Sequence, residues 1–350
     1  YITFIAFSGV SFFLYDYIKH KTAITNEYII FCIFVIILAV VYFIITLPIT
    51  YYNNFVLEHN YGLSNESLAH WIGSIFKSII LGIIIGTPIL LAFYFLISIS
   101  RTYWWLYFSI ILFVFTILLA RITPIFILPL FYNFKKLDNP DIAEKLINLV
   151  GKQKLNISGI FVYNVSKETK KANAGFTGVG RSRRIILSDT LIHQFTPSEV
   201  AVVFAHELGH YKKNHILKNI TINTFTIFLS FFLCNVAYTK SLPYFGFTFA
   251  NDIPALPILA FYLTCISIIL IPVTNIISRK FEREADMFAL AITGHNETFI
   301  TTMEKLGKLN LADKSPHPII EFLLYSHPSI QKRIEFAVSY FSKGINTRLA

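Results

Sequence analysis

Charge is what this chain has least of. Asp, Glu, Lys and Arg make up 14% of its 350 residues, where a soluble domain carries about 25%. Hydrophobic residues make up 55% and the mean hydropathy is +0.59. This is the composition of a membrane protein, and it excludes a string of soluble globular domains. Acidic residues are scarcer than basic ones, 20 against 30, for a net charge of +10. Cytoplasm-facing loops explain that excess better than nucleic acid does, since no nucleic-acid-binding motif accompanies it. Cysteine is nearly absent: Cys32, Cys234 and Cys265 each lie in an apolar run without a partner at metal-ligand or redox spacing. They read as small buried hydrophobes. Internal repeats and low-complexity segments are lacking as well. Tyr1 already stands in an apolar stretch with no charged segment or cleavage site before it, so the sequence reads as truncated at its N-terminus.

What is present is a set of long apolar runs. Residues 28–50 (closing at Leu47-Pro48), 75–99, 103–131, 216–236 and 254–277 each match the ~20 residues of a membrane-spanning helix. Residues 1–15 fall short and read as a cut or interfacial helix. From Tyr132 to Thr196 the chain reads as a small soluble region. Asp141–Lys152 has helical periodicity, while Gly159–Val165 and Arg184–Leu187 read as strands. Ala172–Gly180 between them reads as a hairpin or an edge strand. The chain thus divides into N-terminal membrane helices (1–131), a soluble region leading into a motif-bearing helix (132–205), that helix with two spans and a charged continuation (206–290), and a polar helical region (291–350). The soluble region's 11 Lys and Arg put it in the cytoplasm, with the C-terminal region on the same side, because the two intervening spans form a hairpin. Lys19 and Lys21 run against that bias.

The chemistry is concentrated at His206-Glu207-Leu-Gly-His210, an H-E-x-x-H pattern. On a helix, positions i and i+4 share a face, so both imidazoles can point at one zinc ion. Glu207 beside them can take a proton from water without being a ligand. Thr196-Pro-Ser-Glu199 is a helix start, with a threonine cap, proline at the first position and glutamate three residues after the cap. From it the helix is expected to run unbroken into the 216–236 span. Catalytic zinc usually takes a third protein ligand. Glu282, Glu284 and Asp286 lie near the inner mouth of the last span. Glu282 and Asp286 share a helix face, so Glu282 can be the ligand and Asp286 an acceptor for the far nitrogen of a ligating histidine. Glu284 points about 160° away from Glu282 and is expected to meet neither zinc nor ligand. Only one three-ligand set is visible, which implies one Zn2+ per chain.

Five motifs resemble the integral-membrane zinc CAAX prenyl proteases. They are His206–His210, Phe281-Glu-Arg-Glu-Ala-Asp286, Tyr325-Ser-His-Pro328, Lys170–Gly178 followed by Arg184–Thr190, and Leu47-Pro48 leading to Tyr52–Val56 and Tyr61-Gly62. The resemblance implies an all-α membrane protein, a multi-span barrel of seven helices enclosing a chamber, with a small α+β zinc-protease domain on the cytosolic side. It implies that His206, His210 and Glu282 bind zinc, that Glu207 is the general base and that Asp286 orients His206. His327 would stabilise the oxyanion with Arg333 in support, and Asn173 and Ala174 would pair with an extended substrate. The implied partners are a peptide or prenylated protein substrate and membrane lipids, with no nucleic acid; the protein would be a monomer. Gly175 stands where the family has an aromatic, and Ser329 where it has a second proline, which bears on peptide preference. The short stretch Leu191–Ala205 lacks an insertion of some eukaryotic members and points to a bacterial type, in the inner membrane; a eukaryotic member would sit in the endoplasmic reticulum. Two other functions stay open: a membrane quality-control zinc protease, and a non-catalytic lipid- or peptide-binding membrane protein.

Overall fold

Gly9, with a left-handed φ of 78°, breaks the first residues into two helices, α1 (Ile2–Phe7) and α2 (Val10–Thr22). The structure, a computed structural model, describes residues 1–153, 159–177 and 184–342. α3 (Glu27–Tyr51) begins where the Asn26 side chain accepts the amides of Tyr28 and Ile29. Pro48 does not close it, contrary to the sequence expectation. The helix passes through into a π turn, Tyr52–Leu57, and a last turn α4 (Glu58–Asn60). Proline removes one ladder hydrogen bond, which a helix can absorb by bending or widening instead of stopping. α5 (Leu68–Ile99) and α6 (Trp104–Ile122) follow.

The soluble stretch folds as β1 (Phe134–Lys136), α7 (Pro140–Lys152), β2 (Ile160–Tyr163), β3 (Ala174–Thr177), β4 (Arg184–Ser188) and α8 (Asp189–Gln194). The strands lie in the order β1-β2-β4-β3. β2 and β4 are parallel, in register Ile160 to Ile185, while β3 runs antiparallel to β4 with Ala174 opposite Leu187. The Ala172–Gly180 segment therefore supplies an edge strand; positions 178–180 lie outside the described residues.

α9 (Pro197–Lys212) starts with the expected capping box. Thr196 Oγ1 accepts the Glu199 amide at 3.3 Å and Glu199 Oε2 accepts the Thr196 amide at 2.8 Å. It does not run unbroken into the next span. Asn214, at a left-handed φ of 55°, ends it, and α10 (His215–Ser241) begins afresh. Asparagine tolerates that conformation better than most residues. α11 (Leu256–Thr293) is one helix of 38 residues, followed by α12 (Asn296–Leu309), α13 (Pro318–Leu324) and α14 (Ile330–Ser342).

Among the described residues, five helical stretches are long and apolar enough to cross a membrane: Glu27–Asn60, Leu68–Ile99, Trp104–Leu130, His215–Phe245 and Ile253–Thr293. The chain divides into two units, one of residues 1–58, 68–115 and 223–270, the other of 59–67, 116–222 and 271–350. The first is cored by Ile30, Phe31 and Phe34 of α3 with Tyr94, Trp104 and Tyr238. In the second, α9 is apolar nearly all round. Val200, Phe204 and Leu208 pack on α7 and β4, while Val202 and Ala205 join Ala289, Phe299, Met303 and Tyr340. A helix buried on both sides has little freedom to turn, and that holds whatever chemistry it carries.

Candidate metal centre and active site

The site lies within the second unit, where α9 crosses α11. Gly209 makes the crossing possible. A Cβ there would stand 3.0 Å from the Ala285 Cα and 3.1 Å from its carbonyl oxygen, so only glycine lets the helices approach this closely. The approach brings Glu282 onto the two motif histidines. His206 Nε2 and His210 Nε2 lie 3.1 Å apart, His206 Nε2 is 3.2 Å from Glu282 Oε2, and His210 Nε2 is 3.3 Å from Glu282 Oε1. Donors about 2.0–2.1 Å from a tetrahedral ion stand roughly 3.4 Å from one another, so the triangle fits one ion. Glu282 Oε2 is buried without a hydrogen bond, a costly state for a carboxylate oxygen unless a cation meets it.

The backs of both rings are held. His206 Nδ1–H donates to Asp286 Oδ1 at 2.9 Å, and Arg333 clamps the same carboxylate with Nε to Oδ2 at 2.9 Å and Nη2 to Oδ1 at 2.5 Å. Burial opposes a charge on His206, but the Asp286 and Glu282 carboxylates outweigh it and raise its pKa to about 10. On the other ring, His210 Nδ1 meets His215 Nδ1 at 2.9 Å, and His215 Nε2 meets Glu284 Oε2 at 3.1 Å. If the His215 Nε2–H donates a hydrogen bond to Glu284, its Nδ1 accepts from His210 Nδ1–H, and the His210 Nε2 lone pair is left facing the triangle.

His215 is buried and stacked on Phe281, with ring centroids 4.4 Å apart. Sequence reasoning missed it. On an unbroken helix it would stand five residues past His210 and off its face. The break at Asn214 turns it back, so Glu284, which touches neither motif histidine, still reaches His210 through His215. An asparagine just before a histidine was the available signal.

Glu207, His327, Asn173 and Ala174 line a cavity of about 260 Å³ together with His206, Glu282 and Arg333. His327 is largely exposed, its Nε2 3.4 Å from Glu282 Oε1 and its Nδ1 2.9 Å from the Ser326 hydroxyl. Asn173 precedes edge strand β3 and is tied to Ser188 on β4 by two 2.9 Å bonds. One cavity is thus lined by two of the three metal donors, His206 and Glu282, by the Glu207 carboxylate and by the start of a strand edge.

Residues 136–340 match the family model described as peptidase family M48, and residues 2–133 match the CAAX prenyl protease N-terminal model of five membrane helices. The chain belongs to peptidase family M48. It is an integral, multi-pass membrane metalloendopeptidase, mostly helical with one small sheet. It is 31% identical over 318 residues to CAAX prenyl protease 1 of Saccharomyces cerevisiae, covering 86% of this chain and 70% of that protein. It is 28% identical over 308 residues to the uncharacterized metalloprotease YhfN of Bacillus subtilis, covering 87% and 72%. The crystal structure of S. mikatae Ste24p superposes with a TM-score of 0.84 at 28% identity, over 94% of this chain and 81% of that one.

Proposed function

We propose that this metalloendopeptidase is a zinc enzyme that cleaves near the C-terminus of extended, prenylated CAAX-type peptides. His206, His210 and Glu282 would hold the ion. Zinc, when bound, would polarise the scissile carbonyl and make water acidic enough to lose a proton near neutral pH. Glu207 takes that proton and returns it to the leaving amine as the C–N bond breaks, so water is added across the peptide bond. His327 donates to the developing oxyanion, a role whose loss typically costs about 10²–10³ in turnover. Asp286, held by Arg333, fixes the His206 ring, and Glu284 through His215 fixes His210. The β3 edge beginning at Asn173 and Ala174 pairs with the substrate backbone, the β-augmentation mode.

The observation that carries this reading is the strand edge beside the donor triangle, which suits an extended peptide. The prenyl preference is supported by the similarity to CAAX prenyl protease 1 of Saccharomyces cerevisiae and its Arabidopsis thaliana homolog. The test is the purified chain in lipid with one farnesylated CAAX peptide and its unprenylated twin. One zinc per chain and faster release of the C-terminal tripeptide from the farnesylated form are expected. Glu207→Ala should keep the zinc and lose turnover. Equal cleavage of the two peptides counts against the prenyl preference, and full turnover by Glu207→Ala counts against the mechanism.

A further inference from the structure

Away from the metal triangle, α13 has a composition that water does not favour. Its sequence is Pro-Ile-Ile-Glu-Phe-Leu-Leu, and Ile319, Ile320, Phe322, Leu323 and Leu324 are all exposed, Leu324 by 70%. Glu321, the acidic residue of this helix, is turned inward and buried, bound by Lys332 Nζ at 2.6 Å and the Ser329 amide at 3.2 Å. The helix is amphipathic in the reverse sense, apolar side out. Such patches mark a contact with something apolar.

The level of α13 is fixed by α11. Asn275 Nδ2 donates to the Leu323 carbonyl at 2.9 Å, and Arg279 Nη1 donates to the carbonyls of Glu321 at 3.1 Å and Tyr325 at 2.5 Å. These are the residues where the apolar run of α11 ends and its charged continuation begins. Ile271 and Val273 just before them, and Ile276 between them, are exposed too. α13 therefore lies beside the polar end of a membrane span, and its apolar face continues that span's exposed surface.

Behind α13 is a cavity of about 380 Å³ lined by Arg279, Lys280, Arg283 and Lys332, with Glu321 as its acidic lining residue. Lys332 is matched to Glu321. Lys280 and Arg283 are exposed and make no salt bridge among the described residues; Arg283 stands 5.6 Å over the Phe336 ring, and Lys280 acts on Glu284 only through the field of its charge. A cationic recess at the mouth of a span, roofed by an apolar helix, offers two different contacts to one ligand. The apolar face suits acyl chains, and the recess suits a phosphodiester.

We propose that α13 is embedded in the membrane interface and that the recess beneath it binds the headgroup of an anionic phospholipid. A free anion would leave the apolar face uncovered, and a zwitterionic lipid would leave Lys280 and Arg283 unmatched. The recess shares no lining residue with the cavity at the metal donors, and its test does not depend on turnover.

The protein in neutral detergent is titrated with phosphatidylglycerol, phosphatidylcholine or inorganic phosphate, and both the melting temperature and the lipids retained in native mass spectrometry are read. Phosphatidylglycerol should be retained and raise the melting temperature by several degrees, with little effect from the others. Lys280→Gln/Arg283→Gln should abolish that gain. Lys280→Gln alone, at an exposed position, is a milder second variant and should weaken retention several-fold. Ile319→Ser/Leu324→Ser should weaken it too, because the acyl contact is lost. Equal stabilisation by phosphatidylcholine, stabilisation by phosphate in place of the lipid, or unchanged retention by Lys280→Gln overturns the proposal.

Discussion

At the scale of single residues the metal triangle is held by what stands behind it. Asp286 accepts from His206 Nδ1 and is itself gripped by Arg333. Asp286→Asn keeps the volume but offers a weaker acceptor, so zinc affinity measured against a chelator should fall about 10–100-fold. The sequence suggested that Glu284 could serve as the silent control for that experiment. The His210–His215–Glu284 chain makes it a second support instead. Glu284→Gln and His215→Ala should each weaken zinc binding, by about 10-fold or more, through the His210 ring. Zinc affinity unchanged in both would mean that His210 holds its orientation without them.

At the scale of elements, the decisive contact is α9 against α11 at Gly209. Its missing side chain lets the Ala285 backbone come within reach and carries Glu282 to the histidines. Gly209→Ala places a methyl against backbone that cannot turn aside, and overpacking of this kind typically costs about 1–3 kcal/mol. The variant should melt at lower temperature and hold zinc more weakly, because the ligand helix is pushed away from its partner. A Gly209→Ala protein with parental zinc affinity would show that the helices can part without losing the site. The same crossing explains why α9 needs a firm start. Its capping box, reinforced by Lys305 at 3.0 Å from Glu199 Oε2, fixes the helix end that the core then locks.

At the scale of the whole molecule, an ion held by both α9 and α11 would cross-link helices that are far apart in sequence. Its removal should therefore destabilise the protein, not only silence it. Ligand present at about 1,000 times its dissociation constant stabilises by about 4 kcal/mol. Chelation should lower the melting temperature by several degrees in the parent and in Glu207→Ala alike, and zinc should restore it in both. A melting temperature indifferent to chelator would remove the ion from the fold's support.

What the sequence by itself determined was whatever short-range periodicity and composition encode. The apolar runs required membrane helices, since only helices and closed barrels satisfy a backbone in lipid and the runs are about twice as long as a barrel strand. The four-residue spacing put His206 and His210 on one face, and Thr196-Pro-Ser-Glu199 marked the start of α9. The spacing of Glu282 and Asp286 on their own helix was legible in the same way. Where the chain bends was not. Pro48 read as a stop yet is spanned by helix, and Asn214 read as helix interior yet ends α9 in a left-handed turn. A backbone break of one or two residues costs only a few kcal/mol, so packing decides it, and a local signal such as Asn214 permits the break without requiring it. From that break follows the pairing of His215 with His210. The closeness of α9 and α11, and the outward apolar face of α13, likewise depend on which surfaces meet across tens of residues of chain. The tertiary structure alone decided those.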